Sequence, residues 1–436
     1  MQLTINVSTG LNGRITAPGD KSISHRALIL AALSSGPSRI FGWLPSGDCW
    51  ATVEALRALG VQIELLKQTE TAVDLLVQGV GLHGFKNSEA PLNCQGSGTT
   101  IRLLAGMLAG QPLDVILDGH EGLRRRPMER VAKPLRLMGA QIDTTDGRPP
   151  IRVRGGPLKP VEFEMSIASG QVKSAILIAA LFAQGETVIH QPGPARDHTE
   201  RMLAARGVAI ETSDNTIRLK SELKALPPLD VTVPADFSSA AFPLVAALLA
   251  SYSEIYLERV NVNHTRTGLL DALKNMQADI TRLNEVEEGG EPLADLVVRS
   301  SSLRGTTVQG ELVVRMIDEF PILAVAATQA NGKTVVRDAA ELRVKETDRI
   351  KSTVEELRKM GAHIIACPDG YEVYGPTRLR GTQVNAQGDH RLAMALAVAG
   401  LVAEGTTSLK GAEVMADSYP GFVKMLKAIG GKVELR

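Results

Sequence analysis

Six apolar segments of similar design recur along the chain. Each begins with small or charged polar residues that suit a helix N-cap and continues with about ten nearly all-apolar residues, the pattern of a helix buried on every side. Five of the six then reach a glycine before a β-rich run, whereas the fourth has "SYSE" at 251–254. The segments start roughly 70 to 80 residues apart, a period that indicates internal repetition. They read "DKSISHRALILAALSSGPSRI", "GSGTTIRLLAGMLAGQPLDVI", "SGQVKSAILIAALFAQGETVI", "DFSSAAFPLVAALLASYSEIY", "DEFPILAVAATQANGKTVV" and "DHRLAMALAVAGLVAEGTTSL".

A second helical pattern follows each apolar segment. These stretches are amphipathic, end in a glycine-type turn and lead into a strand, except that the fourth has Gln277 where the others have glycine. Together the two patterns predict six copies of a helix–strand–helix–strand unit. A solenoid of stacked repeats without any chemistry would show the same periodicity and stays open as an alternative at this point. The stretches read "VEALRALGVQIEL", "VAKPLRLMGAQID", "RMLAARGVAIE", "LLDALKNMQADIT", "VEELRKMGAHII" and "VKMLKAIGGKVEL".

The composition is that of a globular protein whose core is built mainly from aliphatic and small residues. Of 436 residues, 44% are hydrophobic, 22% are charged and 3% are aromatic, and the length predicts two or three domains. Lys+Arg and Asp+Glu balance at 48 each, so no overall field would attract nucleic acid or an anionic membrane. The apolar runs are too short to span a bilayer, and the N-terminus shows neither a signal-peptide nor a transit-peptide pattern. We therefore expect a cytoplasmic protein with no nucleic-acid or membrane partner.

The sequence predicts neither a disulfide framework nor a metal site. The cysteines Cys49, Cys94 and Cys367 are far apart and form no Cys-x-x-Cys or Cys/His ligand spacing. His198 and Glu200 in "RDHTERM" look like part of a metal site, but no third ligand at a suitable spacing accompanies them. No nucleophile elbow and no dinucleotide-binding glycine motif after a strand is present.

Cations stand at the beginnings of several predicted buried helices. A helix N-terminus already carries about half a positive charge and unsatisfied N–H groups, so adding Lys or Arg there is locally unfavourable. A protein that repeats this arrangement is expected to hold anions, such as phosphates or carboxylates, at those helix ends. The polar residues concerned are Lys21, Ser22 and Arg26; Ser97, Thr99 and Arg102; Ser169, Gln171 and Lys173; and Asp389, His390 and Arg391.

Three motifs in the first third of the chain have the chemistry of an anion site. "PGDKSISHRAL" (18–28) places Lys21 and Arg26 five residues apart around a helix start, near enough for one anionic ligand. "NCQGSGTTIR" (93–102) is small and glycine-rich, which lets backbone N–H groups approach a phosphate, although a tight turn over packed helices would look the same. "GLRRRPMERV" (122–131) carries three arginines before a proline, and guanidinium groups suit bidentate binding of carboxylate or phosphate, although an exposed basic loop is the simpler interpretation.

Two motifs in the last third supply carboxylates. "MIDEFPILAV" (316–325) sets Asp318 and Glu319 at the head of an apolar helix, where acidic residues are also good caps. "RVKETDRI" (343–350) mixes Glu346 with cations, and Arg343, Glu346 and Arg349 would share one face if the segment were helical. Charge runs of this kind are usually solvated helix faces. Neighbouring cations favour an ionised carboxylate, so an acid role for Glu346 would need burial or a substrate anion.

Taken together, these motifs resemble the 5-enolpyruvylshikimate-3-phosphate synthase family over essentially the whole chain. The stretch "RVKETDR" is highly specific to that family, and the family implies no metal or organic cofactor. The resemblance implies an α/β (α+β) fold: a two-domain inside-out α/β barrel in which each domain has three βαβαββ-type repeats around buried parallel helices. It implies one domain at 18–236 and another at 1–17 plus 237–436, with the active site in the interdomain cleft. The motifs that carry the resemblance are "PGDKSISHRAL", "GSGTTIR", "RRRPM", "SGQVKS", "RVKETDRI…ELRKMG" and "GDHRLAMA".

The family's reaction transfers the enolpyruvyl group of phosphoenolpyruvate to the 5-hydroxyl of shikimate 3-phosphate and releases phosphate through a tetrahedral intermediate. The resemblance makes Asp318 the base on the acceptor hydroxyl and Glu346 the donor of a proton to the methylene carbon, and it counts Lys21 with them as catalytic. It implies a phosphoenolpyruvate site formed by Lys21, the backbone of Gly98, Arg126, Arg349 and Arg391. It implies a shikimate 3-phosphate site formed by Ser22, Arg26, Ser169, Gln171, Asp318 and Lys345.

The chain departs from the family pattern at four positions. Gly96 stands where asparagine is common, Gly170 and Ala195 stand where serine is common, and Asp417 stands where many members have a lysine that contacts phosphoenolpyruvate. No role is therefore predicted at 417, and Lys410 is a possible substitute.

The herbicide glyphosate mimics phosphoenolpyruvate in this family, and Gly98 leaves room for it, so we expect inhibition by glyphosate.

Two other functions stay open on the sequence alone. The sister enzyme UDP-N-acetylglucosamine 1-carboxyvinyltransferase shares the fold and the donor, but it usually has a reactive cysteine in the loop where this chain has "GHEGLRRRPM", and Cys94 lies upstream of that loop. A non-catalytic repeat protein that binds anions would have no need for the pair Asp318 and Glu346.

The family is typically monomeric, so we expect a monomer.

Overall fold

The computed structural model describes residues 1–436. Short strands alternate with helices along the whole chain. Two 3-10 helices, Ala340–Val344 and Ala412–Asp417, accompany the regular elements. The strands are β1 (Gln2–Asn6), β2 (Asn12–Ile15), β3 (Pro37–Trp43), β4 (Gln62–Gln68), β5 (Val73–Gln78), β6 (Leu92–Asn93), β7 (Asp114–Asp118), β8 (Gln141–Thr145), β9 (Arg148–Arg154), β10 (Glu162–Glu164), β11 (Gly185–His190), β12 (Ala209–Ser213), β13 (Thr216–Ser221), β14 (Val231–Thr232), β15 (Glu254–Asn261), β16 (Asp279–Glu288), β17 (Glu291–Arg299), β18 (Thr307–Val308), β19 (Gly332–Val336), β20 (Ile364–Cys367), β21 (Gly370–Gly375), β22 (Gln383–Asn385), β23 (Thr406–Lys410) and β24 (Val433–Leu435). The α-helices are α1 (Lys21–Ala32), α2 (Gly47–Ala58), α3 (Gly98–Ala109), α4 (Glu121–Arg124), α5 (Glu129–Met138), α6 (Gly170–Ala180), α7 (His198–Ala204), α8 (Phe237–Leu249), α9 (Gly268–Asn275), α10 (Glu311–Arg315), α11 (Phe320–Gln329), α12 (Arg349–Lys359), α13 (His390–Val402) and α14 (Phe422–Ala428).

The strands form six four-stranded sheets that follow one plan. In the second repeat the chain runs β6–α3–β7–α4–α5–β8–β9, with β6 parallel to β7 and with β9 antiparallel to both β7 and β8. Parallel neighbours need a long crossover, and the apolar helix α3 provides it. The predicted sixfold repeat and the α/β class are confirmed. The sheet orders are β14-β3-β5-β4, β6-β7-β9-β8, β10-β11-β13-β12, β16-β17-β15-β2, β18-β19-β21-β20 and β22-β23-β1-β24.

Three of the sheets are completed by a strand that is distant in sequence. Strand β14 pairs in parallel with β3, with Val231 opposite Ile40. Strand β2 pairs in parallel with β15, and β1 lies between β23 and β24 with Gln2 opposite Lys410. These strands have only two to five residues, so they show no usable periodicity in the sequence.

The chain divides into two compact units. The first unit comprises Gly19–Val233 and the short segment Glu288–Glu291, and it contains the first three repeats. The second unit comprises Met1–Pro18, Pro234–Glu287 and Pro292–Arg436, and it contains the last three.

Within each unit the apolar helices form the core and the sheets lie around it. In the first unit α3 packs against both α1 and α6, and in the second α8, α11 and α13 contact one another. Helix α8 is buried at twelve of its thirteen residues, whereas β16 is exposed along almost its whole length. Helices enclosed on every side explain the absence of a polar face in the six apolar segments. None of the helices combines the length and the hydropathy that spanning a bilayer requires.

Close approach between the central helices depends on a small residue at the contact. A Cβ atom on Gly106 of α3 would lie 2.3 Å from the backbone oxygen of Ala175 in α6. Any larger residue would therefore push the two helices apart, because packed interiors have no free space to absorb the shift.

The polar residues that precede the apolar segments cap five of the six helices. The carboxylate or hydroxyl oxygen of each accepts a hydrogen bond from a backbone N–H in the first turn, which confirms the predicted helix starts. These caps are Asp20, Ser97, Ser169, Asp236 and Asp389. Helix α11 differs, because its N-cap residue Glu319 makes no side-chain cap hydrogen bond.

Candidate active site

The residues that the sequence singled out lie in the first two turns of helices or in the loops that precede them, and they fall into two sets. The set in the first unit comprises Lys21, Ser22, Arg26, Gly98, Arg126, Ser169 and Gln171. The set in the second unit comprises Asp318, Lys345, Glu346, Arg349 and Arg391.

Arg26 is a buried anchor at the start of α1 rather than a mobile surface cation. Its Nε donates to Thr199 Oγ1 at 2.8 Å and its Nη2 donates to Ser174 Oγ at 2.6 Å. Its Nη1 donates to the backbone oxygen of Ser22 at 2.9 Å. These contacts join α1 to α6 and α7, and they hold the Arg26 guanidinium in one position beside Ser22.

Arg196 is a cation of this set that sequence reasoning missed. Its Nη1 donates to Ser22 Oγ at 3.3 Å. A Cβ atom on Gly170 would lie 3.2 Å from the Cβ of Arg196. The serine that is common at position 170 in the family would therefore crowd this arginine, and glycine does not. A sequence signal for this residue exists, because Arg196 opens the "RDHTERM" segment, next to His198 and Glu200.

Gly98 lies at the beginning of α3 beneath two guanidinium groups. A Cβ atom there would lie 2.6 Å from Arg126 Nη1 and 2.9 Å from Arg102 Nη1. Gln171 links this point to α6, because its Nε2 donates to Thr99 Oγ1 at 2.9 Å and its Oε1 accepts from Arg102 Nη1 at 2.5 Å. The structure therefore brings Gly98, Arg126 and Gln171 together, with a bare backbone turn facing two cations.

The three consecutive arginines have different surroundings. Arg124 is exposed and pairs with Asp118, and Arg125 is exposed and pairs with Glu121. Arg126 is partly buried over Gly98. The interpretation of this segment as an exposed basic loop therefore holds for Arg124 and Arg125. It does not hold for Arg126.

Lys21 forms an ion pair with Asp48, in the first turn of α2. Both side chains are largely enclosed, with exposed fractions of 15% and 22%. Asp48 was not singled out from the sequence, because an acidic residue at a helix start is adequately explained by the helix dipole. The pair gives Lys21 a fixed orientation at the start of α1.

A line of hydrogen bonds connects the N-terminal halves of α1 and α2 with the start of α3. His25 Nδ1 lies 2.7 Å from Thr52 Oγ1, which lies 2.8 Å from Thr100 Oγ1. Thr100 Oγ1 in turn donates to Ser97 Oγ, the cap of α3, at 2.8 Å. Burial lowers the pKa of His25 to about 3, so this imidazole is neutral at ordinary pH.

Two titratable residues of the first unit have structural partners. The Lys173 ammonium is buried and lies 2.6 Å from Glu200 Oε1, so its charge is matched inside the protein and needs no external anion. His198 Nδ1 lies 2.7 Å from Glu291 Oε1, with both side chains buried. His198 and Glu200 thus face separate partners rather than a common metal position.

The second set is organised around the guanidinium of Arg349, which is 1% exposed. Its Nη1 lies 3.2 Å from Asp318 Oδ1 and its Nη2 lies 2.7 Å from Glu346 Oε2. Its Nε donates to Asp389 Oδ2 at 2.7 Å. Burial alone would lower the pKa of Arg349, but the carboxylates of Asp389, Glu346 and Asp318 outweigh it and raise the pKa above its usual value.

Arg391 and Lys345 lie at the edges of this cluster. Arg391 Nη2 is 3.4 Å from Asp318 Oδ2, so Asp318 faces two arginines. Lys345 Nζ is 3.7 Å from Glu341 Oε1, and the lysine side chain is 17% exposed.

The segment from Arg343 to Arg349 is not one continuous helix, so the condition under which Arg343, Glu346 and Arg349 would share a helical face is not met. The 3-10 helix ends at Val344, and α12 starts only at Arg349 after its cap Asp348. Arg343 therefore points elsewhere and donates to Asp348 Oδ2 and to the backbone oxygens of Cys367 and Pro368. The contact between Glu346 and Arg349 is made by an irregular loop, not by a helix.

All three cysteines are free, and two of them are fully buried. Burial raises the pKa of the Cys94 thiol to about 12, and that of Cys49 to the same value. Thiols in this state are poor nucleophiles, because the thiolate is the reactive form. Cys94 is therefore a small buried residue of the core of the first unit.

The geometry supports a particular chemistry. The first set offers backbone N–H groups and cations suited to phosphate and carboxylate ligands. The second set holds two partly exposed carboxylates, Asp318 and Glu346, on one guanidinium, the kind of paired groups that acid–base catalysis uses.

Comparison with known proteins shows the family to which a chain with these residues belongs. The family model described as EPSP synthase (3-phosphoshikimate 1-carboxyvinyltransferase) matches residues 5–426. A 3-phosphoshikimate 1-carboxyvinyltransferase of Thermodesulfovibrio yellowstonii is 48% identical over 432 residues, covering 98% of this chain and 100% of the relative. One of a Geobacter species (strain M21) is 46% identical, covering 98% of each chain. The solved EPSP synthase of Acinetobacter baumannii is 41% identical with a TM-score of 0.88, covering 99% of each chain. The chain therefore belongs to the EPSP synthase (3-phosphoshikimate 1-carboxyvinyltransferase) family.

Proposed function

We propose that this protein transfers the enolpyruvyl group of phosphoenolpyruvate to the 5-hydroxyl of shikimate 3-phosphate and releases inorganic phosphate. Family membership over nearly the full length supports this reaction. Within the molecule, the observation that carries the proposal is the pair Asp318 and Glu346, both held by the guanidinium of Arg349. Before the donor binds, one cation thereby brings the base and the acid to the same place.

In the addition step, the oxygen of the acceptor hydroxyl bonds to C2 of phosphoenolpyruvate while Asp318 takes the hydroxyl proton. Glu346 gives a proton to C3, so the methylene becomes a methyl group and a tetrahedral intermediate forms. Positioned proton transfer of this kind contributes about two to four powers of ten to a rate.

In the elimination step, Glu346, left as a carboxylate by the addition, takes a proton from the methyl group as the C2–O bond to phosphate breaks, and the proton held by Asp318 ends on the released phosphate. The products are the enolpyruvyl ether and inorganic phosphate. Lys21, held by Asp48 at the start of α1, supplies positive charge where the leaving phosphate gains negative charge.

Binding of the donor requires an exchange of partners on Arg349. All three of its side-chain nitrogens contact carboxylates: Asp389, Asp318 and Glu346. Asp389 is 0% exposed and Glu346 is 31% exposed, so the donor carboxylate displaces Glu346 rather than Asp389. Displacement removes a stabilising cation from Glu346 and favours the protonated acid that the addition step needs.

We assign the remaining ligands by the same logic. Lys21, the backbone of Gly98, Arg126, Arg349 and Arg391 bind phosphoenolpyruvate. The acceptor is bound by Ser22, Arg26, Ser169, Gln171, Asp318 and Lys345. Support comes from the contacts that join Arg26 to Ser22 and that place Arg126 over Gly98. No metal ion or organic cofactor enters this mechanism.

The sister reaction on UDP-N-acetylglucosamine is less well supported. A reactive cysteine is usual there, and Cys94 is buried with its pKa raised to about 12. A non-catalytic anion-binding protein would not need two carboxylates, Asp318 and Glu346, in contact with the guanidinium of Arg349.

The test is phosphate release from phosphoenolpyruvate by the purified protein, measured in parallel with shikimate 3-phosphate and with UDP-N-acetylglucosamine. We expect release with shikimate 3-phosphate alone. Release with UDP-N-acetylglucosamine alone would assign the sister reaction, and no release with either acceptor would favour the binding protein.

Three further expectations belong to this proposal. Glyphosate inhibits at micromolar concentration, because Gly98 leaves open the space beneath Arg126; indifference at millimolar concentration would contradict this. The protein acts as a monomer. It works in the cytoplasm.

A further inference from the structure

A buried polar chain in the second unit ends at the residue next to Asp318. The Glu319 carboxylate accepts a hydrogen bond from the hydroxyl of Ser238, and Ser238 Oγ accepts one from Arg266 Nη2 at 2.8 Å. The same Nη2 lies 2.7 Å from Asp236 Oδ1. All four residues are buried, with exposed fractions of 1–2%.

Ordinary helix capping does not explain this arrangement. Glu319 is the N-cap residue of α11, but its side chain makes no cap hydrogen bond and instead reaches the first turn of α8. Burying a guanidinium with two carboxylates has a large desolvation cost, and apolar side chains of the same volume are often at least as stable. A buried network of this kind is therefore better explained by what it positions than by the stability it adds.

The chain of hydrogen bonds holds the turn that carries Asp318. Within that turn, the backbone N–H of Glu319 donates to the oxygen of Met316 at 2.9 Å. On its other side, the buried Tyr371 hydroxyl donates to the backbone oxygen of Phe320 at 2.7 Å. Asp318 thus lies in a turn whose following residues are tied to α8 through Glu319 and to β21 through Tyr371.

We propose that Glu319, held by Ser238 and Arg266, is a positioning residue that sets the place of the Asp318 carboxylate. This inference rests on the proposed function, in which Asp318 takes the proton of the acceptor hydroxyl. The Asp318 oxygens lie 3.2 Å from Arg349 and 3.4 Å from Arg391, so a small shift of the turn changes both contacts. A misplacement of about 1 Å at a reacting group is enough to slow a reaction about a hundredfold.

The variant that tests this is Ser238→Ala, which removes one hydroxyl from the chain. The matched control is Ser239→Ala, because Ser239 is the next residue of α8, is equally buried and lies outside this chain of hydrogen bonds. We expect Ser238→Ala to lower kcat at least about tenfold and to change the KM of either substrate by a smaller factor, since the proton acceptor moves while most of the proposed ligand contacts lie outside this turn. Equal kcat in the two variants would overturn the proposal.

Substitutions at Glu319 provide a second test if Ser238→Ala does not fold. Glu319→Gln keeps an oxygen that accepts the Ser238 hydrogen bond, whereas Glu319→Ala does not. We expect Glu319→Gln to retain most of the kcat and Glu319→Ala to lose it. A loss of thermal stability in both variants without any loss of kcat would show a purely structural role and would overturn the proposal.

A double-mutant cycle shows whether the effect passes through Asp318. If Glu319 acts by positioning Asp318, then Glu319→Ala lowers kcat in the wild-type background but not in Asp318→Asn. Additive losses would overturn the proposal. Failure of the proposed function is recognised separately, because the wild-type protein would then release no phosphate with shikimate 3-phosphate.

Discussion

Asp389 accepts a hydrogen bond from Arg349 Nε at 2.7 Å, and through its other oxygen it accepts one from the backbone N–H of Arg391 at 2.9 Å. One buried carboxylate thus neutralises the first of these arginines and caps the helix that begins beside the second. Burial alone would raise the pKa of Asp389, but the charge of Arg349 outweighs it and holds the pKa below its usual value.

Replacing Asp389 by alanine is expected to destabilise the second unit strongly. The change removes a helix cap and one of three carboxylates around a buried guanidinium, so we expect a loss of about 3 kcal/mol in the free energy of unfolding. Asp348→Ala is the matched control, because Asp348 also caps a helix and also pairs with an arginine, Arg343, but is 31% exposed, and a cap with an exposed ion pair contributes about 1 to 2 kcal/mol. Urea unfolding measures both, and equal losses would show that the pairing with Arg349 adds nothing.

Asp318→Asn and Glu346→Gln are expected to lose about three or more powers of ten in turnover, because each removes a proton-transfer group. Shikimate 3-phosphate should still bind to both variants, which calorimetry measures directly. Glu355→Gln is the control, since Glu355 lies exposed on α12. Near-normal turnover in either active-site variant would refute the assigned roles.

Gly98→Ala is expected to weaken donor binding. The added Cβ would lie 2.6 Å from Arg126 Nη1, so the flexible end of that side chain must move away from the turn. We expect the KM for phosphoenolpyruvate to rise about tenfold, the Kd for shikimate 3-phosphate to stay the same, and inhibition by glyphosate to weaken. Gly122→Ala is the control, because a Cβ there has nothing within 4 Å. Unchanged kinetics in Gly98→Ala would show that Arg126 takes no part in donor binding.

Thiol reagents are expected to leave the activity intact. Burial raises the pKa of Cys49 and Cys94 to about 12, so neither presents a thiolate at neutral pH. Cys367, which is partly exposed, should be the residue that iodoacetamide labels. Peptide mass spectrometry with a parallel activity assay tests this, with Cys367→Ser as the control. Inactivation that follows the labelling of Cys94 would favour the sister reaction.

The neutral, buried His25 is expected to make folding sensitive to acid. Its pKa is lowered to about 3 in the folded protein, against 6.5 for an exposed histidine. Between these values the unfolded chain takes up a proton that the folded protein does not. The stabilisation is therefore complete above pH 6.5 and is lost as the pH falls toward 3.

Urea unfolding at pH 7 and at pH 5 measures this effect. Between the two, the wild-type protein should lose about 2 kcal/mol more stability than His25→Asn, in which nothing titrates at this position. Equal pH dependence in the two proteins would show that His25 is solvated or that its charged form is accommodated.

The repeated architecture was largely predictable, because its signals are local. A helix enclosed on all sides has no polar face, and a polar cap marks its start, so six apolar runs with caps such as Asp20 and Ser97 predict six central helices. The short strands β1, β2 and β14 were not predictable in their pairing, because strands of two to five residues complete sheets whose other strands lie far away in sequence.

The sequence by itself determined the family and the residues at the helix starts, since a motif such as "RVKETDR" is contiguous. Only the tertiary structure decided which charges are matched internally: Lys173 by Glu200, Lys21 by Asp48 and Arg349 by Asp389. It likewise revealed Arg196 beside Ser22 and the link from Ser238 to Glu319. The physical reason is that pairing energies depend on distance and burial. These partners lie 27 to 174 positions apart along the chain, where no local pattern records that they meet.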